Sequence, residues 1–172
     1  VMRILILGGG FGGIYTAMAL RRAVKRRPDI ELALVDQKNY FVFQPMLAEV
    51  ISGSIDPLHT VIPIRDLCPD TSLYMGEIER VDVEAKAVTL SAGLHAQPRT
   101  ISYDHLVVAL GRVENFSIVR GLQEQGFHFK NLGDALVLRN RLILLLEAAD
   151  SEPDEVRRRE MLTIVMAGGG FS

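Results

Sequence analysis

Met2-Arg3-Ile4-Leu5-Ile6-Leu7-Gly8-Gly9-Gly10-Phe11-Gly12-Gly13 is the stretch whose reading decides the fold. Residues 3 to 7 form an apolar run closed by glycines, the pattern of a strand buried on both faces of a parallel sheet. Gly8, Gly10 and Gly13 then fit G-x-G-x-x-G, which is a weak signal alone. Its surroundings make it specific. The motif leaves a predicted strand and opens a predicted helix, and a second strand ends at Asp36, 23 residues after Gly13. The three glycines serve different physical ends. Gly8 allows a tight turn, Gly10 lets backbone approach a pyrophosphate, and Gly13 lets helix and strand pack closely. The amides and positive end of the helix then face the phosphates. Asp36 can accept hydrogen bonds from an adenosine ribose and would repel a 2'-phosphate. The motif therefore suits FAD or NAD, not NADP.

Outward from this unit, residues 11 to 27 carry helical apolar spacing at Ile14, Met18, Ala19 and Val24, and Pro28 closes them. Residues 30 to 35 read as the second strand of a right-handed crossover. Residues 36 to 68 are irregular and interrupted by Pro45, Pro57 and Pro63, with helical turns predicted at 46 to 51 and 63 to 68. The segments 72 to 75, 77 to 84, 86 to 91 and 99 to 103 are short and rich in β-formers, and predict a small antiparallel meander. Residues 106 to 110 return to the buried-strand style and stop at Gly111. A helix is predicted over 133 to 149, then a charged, proline-containing linker over 150 to 160. Residues 162 to 167 read as a further buried strand. It enters Gly168-Gly169-Gly170-Phe171-Ser172, a near-repeat of Gly8-Gly9-Gly10-Phe11-Gly12. The repeat predicts a second nucleotide-binding fold, cut off as it begins.

With 48% hydrophobic and 23% charged residues, the chain has globular composition. Nineteen basic against 21 acidic residues give a net charge of -2, which excludes a global drive onto nucleic acid. Cys68 is the sole cysteine, so there is no disulfide framework and no Cys-x4-Cys redox pair. His59, His95, His105 and His128 lack metal-ligand spacing; no metal and no catalytic acid or base is assigned. The apolar start is too short for a signal peptide, and no apolar run reaches the roughly 20 residues of a membrane span, so a cytoplasmic location is expected. The basic clusters Arg21, Arg22, Lys25, Arg26, Arg27 and Arg157, Arg158, Arg159 read as solvated faces.

Three stretches resemble the two-dinucleotide-binding-domain flavoproteins, above all the type II NADH:quinone oxidoreductases. They are Ile6-Leu7-Gly8-Gly9-Gly10-Phe11-Gly12-Gly13; Leu34-Val35-Asp36-Gln37-Lys38-Asn39-Tyr40 with Phe43-Gln44-Pro45-Met46-Leu47-Ala48-Glu49-Val50; and Tyr103-Asp104-His105-Leu106-Val107-Val108-Ala109-Leu110-Gly111. The segment from Phe129 to Ala149 looks like that family's crossover between its two nucleotide domains. The resemblance implies a Rossmann-like α/β fold with a parallel sheet and a small antiparallel meander. It implies an FAD-binding domain over 1 to 115, a crossover helix and linker over 116 to 160, and the first strand and glycine turn of an NAD-binding domain over 161 to 172. FAD would be held by Gly8, Gly10, Phe11, Gly12, Gly13, Asp36 and Gln37, with Pro45 and Met46 beside the flavin ring. Val81 would offer backbone to the adenine, and Ala109 and Gly111 would close over the cofactor in an Ala-Thr-Gly-type motif where Leu110 replaces the threonine.

The implied reaction passes electrons from NADH through FAD to a quinone, in a parent peripheral on the cytoplasmic membrane face. Activity belongs to that parent rather than to these residues alone. Membrane contact would come through a region past residue 172; homodimerisation is left open. Two other readings stand beside it: a sulfide:quinone oxidoreductase-like flavoprotein, which needs reactive cysteines, and a nucleotide-binding module without enzymatic activity. A plain NAD-binding dehydrogenase domain fits less well, because the meander breaks the βα alternation. Residues 162 to 167 are further expected to complete the first parallel sheet.

Overall fold

The computed structural model describes residues 1–92, 97–113 and 115–168; His95 and the second glycine run past Gly168 lie outside them. In chain order the elements are β1 (Met2–Leu7), α1 (Phe11–Val24), β2 (Ile30–Asp36), β3 (Tyr40–Val42), α2 (Leu47–Ser52), β4 (Val61–Pro63), α3 (Ile64–Leu67), β5 (Ser72–Met75), β6 (Ile78–Asp82), β7 (Ala87–Leu90), β8 (Arg99–Ser102), β9 (His105–Val108), α4 (Leu122–Gln125), α5 (Leu132–Ser151) and α6 (Glu155–Met161). The chain divides into two compact units, one of residues 1–41 and 62–114, the other of 42–61 and 115–172.

In the first unit, β1 sits between β2 and β9 in an all-parallel sheet of order β5-β2-β1-β9. Leu5 lies opposite Ala33 and Leu106, and Leu7 opposite Val35 and Val108. Side chains alternate across a strand, so Leu5, Leu7, Ala33 and Val35 share one face. That face packs on Val88, Leu90, Ile101 and Tyr103 from the antiparallel sheet β6-β7-β8. The opposite face, with Ile6 and Leu34 fully buried, takes Ile14 and Ala17 of α1. At roughly 1.5 to 3 kcal/mol per fully buried large aliphatic side chain, this two-sided burial is the main stabilising term of the unit. Arg3 knits its edge, donating to Glu31 at 3.0 Å and to the Ser102 carbonyl at 3.0 Å.

Two expectations are corrected here. Residues 72 to 75 do not join the meander: β5 pairs parallel to β2, with Leu73 opposite Leu34. Four-residue strands look alike in sequence, and only the long connection after Asp36 permits the parallel return. α1 also stops at Val24, three residues before the predicted end.

In the second unit, Leu47 and Val50 of α2 pack with Ala135 of α5, joined by Ile51, Phe129, Leu132 and Leu136. α5 begins with a capping box. The Asn131 side chain accepts from the Asp134 amide at 3.0 Å, and the Asp134 carboxylate accepts from the Asn131 amide at 2.9 Å. Asn131→Ala is therefore expected to cost about 1 kcal/mol, read as a lower urea midpoint at unchanged slope. The predicted linker is largely helical: Pro153 precedes the cap rather than breaking a helix, and Asp154 accepts from the Val156 amide at 2.8 Å to start α6. Residues 162–168 form no strand, and Ile164, Val165 and Met166 are 63%, 87% and 88% exposed. They do not complete the parallel sheet, whose described strands are β5, β2, β1 and β9. Among the described residues, no helix is long and apolar enough to cross a membrane.

Candidate functional site

β1 has β2 on one side and β9 on the other, so the connections from these strands diverge at its carboxyl end. In open parallel sheets ligands bind in the crevice at such a switch point. The turn from Gly8 to Gly13 occupies that place. Gly8 has φ +103°, a conformation that glycine adopts without strain, and a Cβ there would collide with the Ala109 carbonyl. The Gly8 amide donates to the Val35 carbonyl at 2.8 Å, and the Ala109 amide to the Leu7 carbonyl at 2.8 Å. Gly13 abuts the Gly8 carbonyl so closely that a Cβ has no room. Strand and helix therefore meet backbone to backbone.

The Asp36 carboxylate organises the turn. One oxygen accepts from the Gly9 amide at 2.6 Å, and the other accepts from the Lys38 amide at 2.8 Å. The spacing signal pointed to Asp36 but not to Gly9, which lies between the motif glycines; a Cβ on Gly9 would crowd Asp36 and Ile64. An ionised carboxylate has about four acceptor positions, so two remain for outside donors such as ribose hydroxyls.

Gly10 is the open point of the turn. It is exposed, a Cβ on it would meet nothing within 4 Å, and it starts α1 without a side-chain cap. The first turn of α1 contains no acidic residue. A helix N-terminus carries partial positive charge and orphan amides, so this helix start fits a phosphate group, and no acidic side chain of its own first turn competes for those amides. Phe11 stacks on Tyr15 at 6.2 Å and meets Phe41 edge-on at 5.0 Å, which anchors the start of the helix. A Cβ built on Gly12 would meet the Ala109 methyl at 3.5 Å, an ordinary contact.

The structure thus brings Gly8, Gly9, Gly13, Asp36 and Ala109 together. Gln37 is exposed beside Asp36, and Gly111 has φ +71° two residues past Ala109. Val81 lies on β6 against the meander core. Pro45 and Met46 form an exposed 3₁₀ turn in the second unit. Cys68 is 1% exposed, and burial raises its thiol pKa, which keeps the thiol neutral and unreactive. Among the described residues no cluster of side chains is arranged to hold a metal ion.

A parallel sheet with a glycine turn at its switch point, seated against an acidic strand end, defines a Rossmann-type nucleotide-binding protein. The chain belongs to the pyridine nucleotide-disulphide oxidoreductase family, whose sequence profile matches residues 2–172. It is 30% identical to a type II NADH:quinone oxidoreductase of Mycobacterium tuberculosis, covering 98% of this chain and 35% of that protein. It is 32% identical to the demethylphylloquinone reductase of Synechocystis, covering 99% and 40%. Its fold superposes on the sulfide:quinone oxidoreductase of Aquifex aeolicus with TM-score 0.74 at 27% identity, over 86% of this chain and 33% of that one. The Plasmodium falciparum NDH2 shares the fold with TM-score 0.76 at 23% identity, over 92% and 32%. The chain spans between a third and two fifths of the length of these curated relatives.

Proposed function

We propose that this chain supplies the FAD-binding part of an NADH:quinone oxidoreductase, in which electrons pass from NADH through FAD to a quinone. The observation that carries the reading is the open, uncapped start of α1 at Gly10 with the Asp36 carboxylate beside it at Gly9. In this proposal Gly8, Gly10, Phe11, Gly12 and Gly13 hold the pyrophosphate, and Asp36 with Gln37 takes the adenosine ribose. Val81 offers backbone to the adenine. Pro45 and Met46 approach the flavin, while Ala109 and Gly111 close over the cofactor. When bound, FAD supplies the hydride and electron chemistry; the residues named here bind, orient and exclude water. None of them is assigned as an acid or base.

The proposed functional division runs 1 to 115 for FAD, 116 to 160 for the crossover, and 161 to 172 for the opening of an NAD-binding part. NADH and quinone as substrates are supported by the relatives, whose names are those of an NADH:quinone oxidoreductase and of a second quinone reductase. The proposal places the parent on the cytoplasmic membrane face, with no nucleic acid as partner and homodimerisation as its open alternative to a monomer. A sulfide:quinone reading has a structural neighbour in its favour. It requires nucleophilic sulfur, and buried Cys68 is not suited to that role.

The test is the visible spectrum of the purified protein, with mass analysis of the nucleotide released on denaturation. Flavin absorption and released FAD are expected. Released NAD, or failure to bind added FAD, would overturn the proposal.

A further inference from the structure

At the other end of the first unit's sheet, away from the glycine turn, the last turn of α1 and the start of β2 line a cavity of about 620 Å³. Ile30 and Asp36 are the two ends of β2, and at about 3.3 Å per residue they lie roughly 20 Å apart. A ligand in this cavity would leave the candidate dinucleotide site free.

The cavity is lined by five basic side chains, and they divide into two groups. Arg21 pairs with Asp70 at 2.6 Å, and Arg27 with Asp29 at 2.8 Å. Glu31, the other acid on the wall, is taken by Arg3 at 3.0 Å. Arg22, Lys25 and Arg26 have no acidic partner among the described residues. Arg22 stands in the last turn of α1, and Lys25 and Arg26 follow directly on its end at Val24, so three like charges lie within five residues and repel each other. Val24, Ile30 and Leu32 add apolar lining. A helix C-terminus attracts cations, which accounts for one or two of them. It does not account for three uncompensated cations gathered around a concavity whose acids are already paired.

We propose that this cavity binds a phosphate-bearing anion, with Arg22, Lys25 and Arg26 as its charge partners. The charge of a di- or polyphosphate matches three cations better than a single carboxylate does, and arginine meets phosphate oxygens in a two-pronged geometry. Such a group reaches the site either from a soluble phosphoester or from an anionic phospholipid headgroup, and the two sources share this chemistry.

The test uses the whole chain and the R22Q/K25Q/R26Q variant, whose changes are all on the surface. Inorganic pyrophosphate is titrated while backbone amide resonances are followed by NMR, and sedimentation with phosphatidylglycerol vesicles is run in parallel. For a soluble source, pyrophosphate is expected to shift the amides of residues 22 to 32, and the triple variant to bind on the order of tenfold more weakly there. Any binding at the glycine turn is expected to be unchanged, which separates this site from the dinucleotide site. Vesicle binding that is lost in the variant, with no pyrophosphate shift at residues 22 to 32, would assign the same three cations to a lipid headgroup. If shifts appear only at the glycine turn, and the variant sediments with vesicles like the parent, the proposal is overturned.

Discussion

Gly13→Ala is expected to destabilise the first unit by about 3 kcal/mol and to abolish FAD binding, because the new Cβ has no place to go. It would point into the Gly8 carbonyl, with Ile6 immediately behind. Both obstacles are fixed, Gly8 by the hydrogen bond its amide donates to the Val35 carbonyl and Ile6 by full burial in the sheet. The helix must then lift off β1, which uncovers Ile14 and Ala17 and displaces the amides proposed to meet the pyrophosphate. Against a typical total of about 5 to 15 kcal/mol, that loss is large. Gly12→Ala is the control on the same turn. Its Cβ would stand 3.5 Å from the Ala109 methyl, an ordinary contact, and alanine is the better helix former by about 1 kcal/mol, so stability should hold or rise slightly. Urea unfolding followed by circular dichroism gives both values. A Gly13→Ala protein as stable as the parent would mean that α1 is not seated on β1 as described.

Much of this site is legible in the sequence because its determinants are local. The apolar run before Gly8, the motif spacing and the acid at position 36 each report on a few consecutive residues, and together they place strand, turn and helix. What cannot be read this way depends on partners far along the chain. Residues 72 to 75 carry the mixed burial of an ordinary short strand, and nothing within them says that the neighbour is β2 rather than β6. Residues 162 to 168 show the converse: the apolar pattern of a strand is present, but a strand exists only where backbone partners are supplied. At α6 the difficulty is one of position. A proline in a charged stretch reads as a breaker, whereas Pro153 stands just outside a helix with Asp154 at its cap and helps to start one. The Asp36 bond to the Gly9 amide is not legible at all, because it depends on the direction in which the turn aims that amide.

Asp36→Ala separates the architecture of the turn from its proposed use. The carboxylate accepts two backbone amides of its own chain, Gly9 at 2.6 Å and Lys38 at 2.8 Å. Gly9 is buried, so its amide would lose its partner with little access to water, at a cost of about 1 to 3 kcal/mol. Lys38 is only half-buried, and water can replace its bond more cheaply. A stability loss of about 2 kcal/mol is therefore expected before any cofactor is added. Asp36→Asn offers one acceptor oxygen where two are used, and its amide group would present a donor to a donor, so it should recover at most half of that loss. FAD affinity makes a second, independent measurement. Losing charge-assisted bonds to the ribose, at about 1.5 to 3 kcal/mol each, predicts at least roughly tenfold weaker binding even under conditions where the variant is fully folded. A variant that is less stable but binds FAD with the affinity of the parent would leave Asp36 as a brace for the glycine turn and remove it from the proposed ribose contact.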